Sequence, residues 1–209
     1  LLLLQRLRRA GQIPHTLPIF VDSPMATAAT ALYKRHAALL RVPAREVKTL
    51  TDRITFTETV QQSMRLARSR FPSIILSASG MATGGRVLHH LKAMLPEARH
   101  HVCFPGFQVG GSRGARLVAG EPDVKIHGEY VPVRAEISHL QSLSGHADRD
   151  ELMAWLRALR TPPRQTYVVH GEPDAADAPI DAADAAIDAT DAPVGPDACA
   201  PTTEVCNGR

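Results

Sequence analysis

The sequence predicts an α/β fold, and two observations carry the prediction. Short β-branched apolar runs alternate along the chain with segments whose apolar residues recur at helical spacing. The runs in the first half are apolar on both faces, as buried parallel strands are, whereas the later ones fit an antiparallel sheet edge. The elements follow in order. Leu1 to Ala10 resembles the end of a helix closed by Gly11. Leu17 to Asp22 reads as a buried strand. Ser23 can cap the next helix, with Pro24 at its first position, running towards Leu40. Val42 to Thr55 reads as an irregular connector, and Thr59 to Ser69 as a second helix. Ser73 to Ala78 is another buried strand, ending in a loop of small residues. Val87, Leu88, Leu91 and Leu95 mark the helix behind it. Val102 to Phe104 reads as a short strand that places Cys103 in the core, and Arg113 to Ala119 as a helix. Val124 to His127 and Tyr130 to Leu140 read as strands around a tight turn. Asp148 to Leu159 carries Leu152, Trp155, Leu156 and Leu159 on one helix face, and Tyr167 to Val169 is a last buried strand.

The 209 residues suit one or two small domains, and 44% apolar content suits a real core. Four leucines at the start are too few for a signal core or a membrane span, and no membrane partner is expected. Three cysteines, Cys103, Cys199 and Cys206, form no disulfide framework, so a reducing, cytoplasmic setting is expected. The formal charge of +3 conceals an asymmetry. Residues 171–209 hold nine acidic and one basic side chain, a net of −8, and the preceding 170 residues hold a net of +11. A basic body suits a polyanion, although an arginine-rich solvated surface would look the same.

The acidic end is a repeat. Asp174, Asp177, Asp181, Asp184, Asp188 and Asp191 recur at spacings of three and four within three copies of a seven-residue unit. Pro179 and Pro193 interrupt any helix, six like charges repel, and little apolar surface is available. Residues 175–209 are therefore expected to form a disordered acidic Asp/Ala tail, able to bind the basic body weakly.

Four segments carry candidate chemistry. Ser79-Gly80-Met81-Ala82-Thr83-Gly84-Gly85-Arg86 leaves a strand and enters a helix, where backbone N–H groups and Arg86 can face a phosphate. It lacks the Gly-Lys-Ser/Thr of a Walker loop. Gly106 to Gly114 is a second glycine-rich loop, carrying Arg113. Ser144-Gly145-His146-Ala147-Asp148 opens the helix at Asp148, which can either orient His146 or cap that helix. His170-Gly171-Glu172 ends the last strand, so one helix crossover separates two histidines that can converge on one site. The pairs His89-His90 and His100-His101 are adjacent, not spaced as His-x-His, and are poor chelators within a strand.

This ordered set, together with Asp22-Ser23-Pro24-Met25-Ala26 and Lys125-Ile126-His127-Gly128-Glu129, resembles the β-CASP branch of the metallo-β-lactamase-fold nucleases from Leu1 to about Glu172. Phe107, Ser112 and Gly145 stand where that family usually has Tyr, Thr and Ala. The resemblance implies a β-CASP cap domain over 1–118, the C-terminal part of a metallo-β-lactamase αββα sandwich with its RNA specificity segment over 119–174, and the tail over 175–209. It implies RNA as substrate; DNA-acting members often carry valine at the position of His170. It assigns His146 as general acid or stabiliser of developing charge, and His170 as a ligand to one of two zinc ions. Ser79, Gly80, Arg86, Arg113 and Ser144 would bind RNA phosphate, with Asp148 and Glu172 supporting the site. The family's His-x-His-x-Asp-His motif does not occur here. The expectation is therefore the C-terminal portion of a zinc-dependent ribonuclease, inactive without an N-terminal metal-binding half and a possible homodimer when intact. The alternative is a non-catalytic RNA-binding or partner-binding module.

Overall fold

The computed structural model describes residues 1–143 and 145–161. It divides into two compact units, Leu1–Ser144 and Gly145–Arg209. Ser144, the expected strand Tyr167 to Val169, His170, Glu172 and the acidic repeat lie outside the described residues.

The first unit is mixed α/β with parallel pairing. Helix α1 (Leu2–Arg9) leads to strand β1 (Ile19–Asp22), which is central to a three-stranded parallel sheet. Strand β2 (Ile54–Phe56) flanks it on one side and β3 (Ile74–Ser77) on the other, with Val21 opposite Phe56 and Leu76. Helix α2 (Pro24–Arg35) starts as its sequence dictates: the Ser23 hydroxyl accepts the N–H of Ala26 at 3.2 Å, and Pro24 stands at the first turn. It ends at Arg35 and a 3₁₀ turn, Ala37–Leu39, follows. Helix α4 (Val60–Ala67) is held by a reciprocal cap between Thr59 and Gln62.

The expected connector from Val42 to Thr55 is more ordered than its sequence suggests. It contains α3 (Ala44–Lys48) as well as β2. The reason is tertiary: Gln5 on α1 donates to the carbonyls of Leu50 and Asp52, and Val47 is buried.

Helix α5 (Val87–Met94), β4 (His101–Phe104), α6 (Arg113–Val118), β5 (Asp123–Ile126), β6 (Glu129–Pro132) and β7 (Glu136–His139) complete the unit. Strands β5 and β6 form an antiparallel hairpin, and β4 pairs with β7 in parallel. One core joins Leu88, Leu91 and Leu95 of the α5 region to Phe104, Leu117, Val124, Ile126 and Val131.

Two expectations fail here. Tyr130 to Leu140 is not one strand but β6 and β7 in different sheets. Pro132 has no N–H to extend the ladder, and the next amides turn away: Val133 bonds Pro122 O, and Arg134 and Ala135 bond Leu95 O. Cys103 is exposed, not in the core, because β4 buries Phe104 and turns Cys103 to its other face.

In the second unit, α7 (Arg149–Arg157) forms at the expected place. Asp148 caps it: Asp148 Oδ1 accepts the Glu151 N–H at 2.8 Å, and the Glu151 carboxylate accepts the Asp148 N–H at 3.1 Å. No helix among the described residues is long and apolar enough to cross a membrane.

Candidate nucleic-acid site

Alternation along β1 sends Ile19 and Val21 to one face and Phe20 and Asp22 to the other. Asp22 is fully buried, at 0% exposure, and a buried carboxylate needs partners. It has three. Ser63 on α4 donates its hydroxyl to Oδ2 at 2.5 Å, the His90 Nε2 on α5 lies 2.6 Å from the same oxygen, and Arg86 Nη1 donates to Oδ1 at 2.7 Å. Burial pushes the Asp22 carboxyl up, but the hydrogen bonds from Ser63, His90 and Arg86 outweigh it and hold the group below its ordinary value. Asp22 is thereby an anion that ties β1, α4 and α5 together.

Arg86 uses the rest of its fork on the same neighbourhood. Nη1 also reaches the Thr57 carbonyl and Nη2 the Glu58 carbonyl, each at 3.0 Å. The loop before it folds on itself. Ser79 Oγ lies 3.1 Å from Thr83 Oγ1, the Ala82 N–H donates to Ser79 O, and the Val87 N–H donates to Ala78 O. Gly85 sits at φ +79°, where a Cβ would stand 2.9 Å from the Ala78 carbonyl oxygen, so only glycine closes the loop. An open cleft lies beside it, about 430 Å³ in volume, lined by Ser23, Pro24, Met25, Ser79, Gly84 and Arg86.

The second glycine-rich loop clasps the first. The Gln108 amide donates to Gly80 O at 3.1 Å and to Gly106 O at 3.0 Å. The Gly114 N–H donates to Met81 O at 3.0 Å. Arg113 donates through Nε to Lys125 O at 2.7 Å and through Nη1 to Ala82 O. A Cβ added at Gly114 would fall 1.7 Å from Gln108 Oε1, so the Gln108 side chain would have to swing away to admit one.

The structure therefore brings Ser79, Gly80, Arg86 and Arg113 into one assembly within the first unit. Both guanidinium groups are engaged with protein acceptors. Gly80 is exposed and Ser79 half-buried. In the second unit His146 is exposed and Asp148 caps α7. Sequence reasoning missed Asp22, Ser63, His90 and Gln108 as parts of this assembly. Asp22 and Gln108 stand inside segments singled out for their motifs; Ser63 and His90 carry no local signal, because their partner is distant in the chain.

Among the described residues no three His, Cys, Asp or Glu side chains gather closely enough to hold a metal ion. Those residues do not by themselves fit a zinc centre, and His170 lies outside them.

The first unit joins a parallel sheet to two interlocked glycine-rich loops, and comparison with known proteins gives the chain its family. The β-CASP domain model matches residues 1–117, more than half of the chain, so this chain belongs to the β-CASP family. A second model, the Zn-dependent metallo-hydrolase RNA specificity domain, matches residues 130–186. Ribonuclease TTHA0252 of Thermus thermophilus is 41% identical over 164 residues, covering 74% of this chain and 36% of that protein. Transcription termination factor FttA of Methanosarcina mazei is 26% identical over 187 residues, covering 84% and 29%, and its namesake in Thermococcus kodakarensis is 29% identical over 184 residues, covering 82% and 28%. The chain thus spans about a third of the length of these relatives.

Proposed function

We propose that this chain is the RNA-handling, C-terminal portion of a zinc-dependent ribonuclease that works in the cytoplasm. The observation that carries the reading is the joint presence of the β-CASP match and the RNA specificity match, in that order along the chain. The basic body, net +11 over residues 1–170, supplies the attraction for a polyanion.

In this reading the exposed edge of the Ser79–Gly85 loop, with Ser79 and Gly80, meets a phosphate. Ser144 supplies a further phosphate contact. Arg86 and Arg113 act as positioning residues: their forks hold the loop to Asp22 and to the β5–β6 hairpin. His146 is the group that gives or takes a proton at the scissile phosphate, since an imidazole titrates near neutrality. Asp148 caps α7 and so fixes where His146 emerges. A bound zinc ion would supply an activated water for attack on phosphorus. His170 would be this chain's ligand and Glu172 would support it, with the remaining ligands supplied by an N-terminal metal-binding half.

The test is direct. The purified chain should bind RNA with an affinity that falls linearly on a log–log plot against salt, and should cleave none of it with zinc added. Zinc-dependent cleavage lost on His170→Ala would show that a full ligand set lies within these 209 residues. Absence of RNA binding at low salt would overturn the reading.

A further inference from the structure

Three of the chain's five phenylalanines meet at one edge of the three-stranded sheet. Phe20 on β1, Phe56 on the edge strand β2 and Phe71, between α4 and β3, line an open groove of about 280 Å³ together with Arg65 and Leu66 of α4. The Phe20 and Phe71 ring centres lie 6.5 Å apart, inclined at 46°. Such a pair is ordinary packing when it is covered. Here Phe71 is 56% exposed, so much of its ring stays in water. The surround is basic. Residues 53–71 hold four arginines against one carboxylate, Glu58. Arg65, Arg68 and Arg70 make no ion pair among the described residues. The groove also adjoins the loop assembly: Thr57 lines it, and the Thr57 carbonyl accepts Arg86 Nη1 at 3.0 Å.

Building on the RNA-handling reading above, we infer that this groove takes one splayed-out base of a single-stranded RNA, laid against the Phe71 ring, with Arg65 on the adjoining phosphate. Aromatic rings in an arginine-lined groove hold single strands without reading their sequence: every base has a π-face, and the guanidinium follows the backbone. The volume lies just under the about 300–1,000 Å³ of sites for drug-sized ligands, which suits a single flat ring system. Gln62, a side chain able to read a base edge, has its Oε1 committed to the N–H groups of Glu58 and Thr59. Recognition is therefore tolerant of base identity. A duplex is disfavoured, because its bases are already paired and stacked. The chief rival occupant is an extended peptide that adds to the β2 edge and inserts an apolar side chain. Such a strand draws on main-chain hydrogen bonds and apolar contact and gains nothing from unpaired arginines, whereas a polyanion does.

The test sets the full chain against a short oligouridylate and an abasic strand of the same length. The parent should bind the base-bearing strand about fivefold or more tightly than the abasic one. Phe71→Leu fills the place beside Phe20 without an aromatic face. It should abolish that preference and leave the affinity for the abasic strand unchanged. Phe71→Tyr keeps a ring and should keep the preference. Arg65→Gln should lower the slope of log affinity against log salt by about 0.7, the share of one phosphate on a single strand, and an unchanged slope would contradict the phosphate contact. Equal affinity of the parent for the two strands needs no variant and overturns the base site, as does a preference that survives Phe71→Leu. Either result leaves the RNA-handling reading standing. A Phe71→Leu chain that changes oligomeric state but not RNA affinity assigns the groove to a protein partner and likewise overturns the base site. A parent that binds neither strand at low salt overturns both readings.

Discussion

Arg86 Nη1 lies 2.7 Å from Asp22 Oδ1, and this contact joins residues 64 positions apart in the chain. Asp22 is fully buried while the Arg86 side chain is 18% exposed, so the pair links the interior of the first unit to its surface. The loop that the family resemblance marks for phosphate is hung on that link.

Removing the carboxylate should therefore be costly. Asp22→Ala strands Arg86 and His90 beside an apolar gap, and breaking a buried pair typically costs about 3–5 kcal/mol. The pH dependence follows from the direction of the shift. The folded pKa is depressed, so its stabilisation is complete above the ordinary carboxylate range, about 4, and is lost as pH falls through the lower folded value. Urea unfolding of the parent chain and Asp22→Asn should show a gap that narrows as pH falls below about 4. A gap that widens below about pH 4 would reverse the assigned direction.

Arg86 separates two roles that a simple loss of affinity would confuse. A side chain that touches phosphate releases counterions, so its removal lowers the slope of log affinity against log salt by about one. Arg86→Ala should weaken RNA binding at every salt concentration and leave that slope unchanged, since its N–H groups face Asp22, Thr57 and Glu58. A slope reduced by about one would make Arg86 a direct phosphate ligand.

Gly114 and Gln108 should be energetically coupled. An alanine methyl at 114 displaces the Gln108 amide from Gly80 O, and overpacking of this kind costs about 1–3 kcal/mol. Gln108→Ala removes the obstacle, so the double variant should be less destabilised than the sum of the singles. A double-mutant cycle measures this; strict additivity would mean that the two residues do not meet in solution.

Legibility in the sequence followed the range of the interactions. The caps at Ser23, Thr59, Ser112 and Asp148 are local, and these four helices start beside the residue that satisfies a first-turn amide. Parallel strands declared themselves by apolar runs such as Ile74-Ile75-Leu76. Strand β2 did not, because Ile54-Thr55-Phe56 is short and gains its place only by pairing with β1. Pro132 was the visible warning that Tyr130 to Leu140 would break. In the site, the loops were legible as glycine motifs, but the direction of Arg86 and Arg113 was not. A guanidinium's partner is chosen by what the fold brings near, here a carboxylate from a strand far upstream.

If this chain supplies the RNA-handling part of a β-CASP ribonuclease, as proposed, it should do so within a chimera. The matching C-terminal segment of the Thermus thermophilus ribonuclease, to which this chain is 41% identical, would be replaced by residues 1–209. The folded chimera should hydrolyse RNA in a zinc-dependent manner. His146→Ala should lower turnover about 10²–10⁴-fold with zinc content nearly unchanged, whereas His170→Ala should lower both. A chimera that folds, retains zinc and binds RNA but does not cleave it would contradict the proposed function.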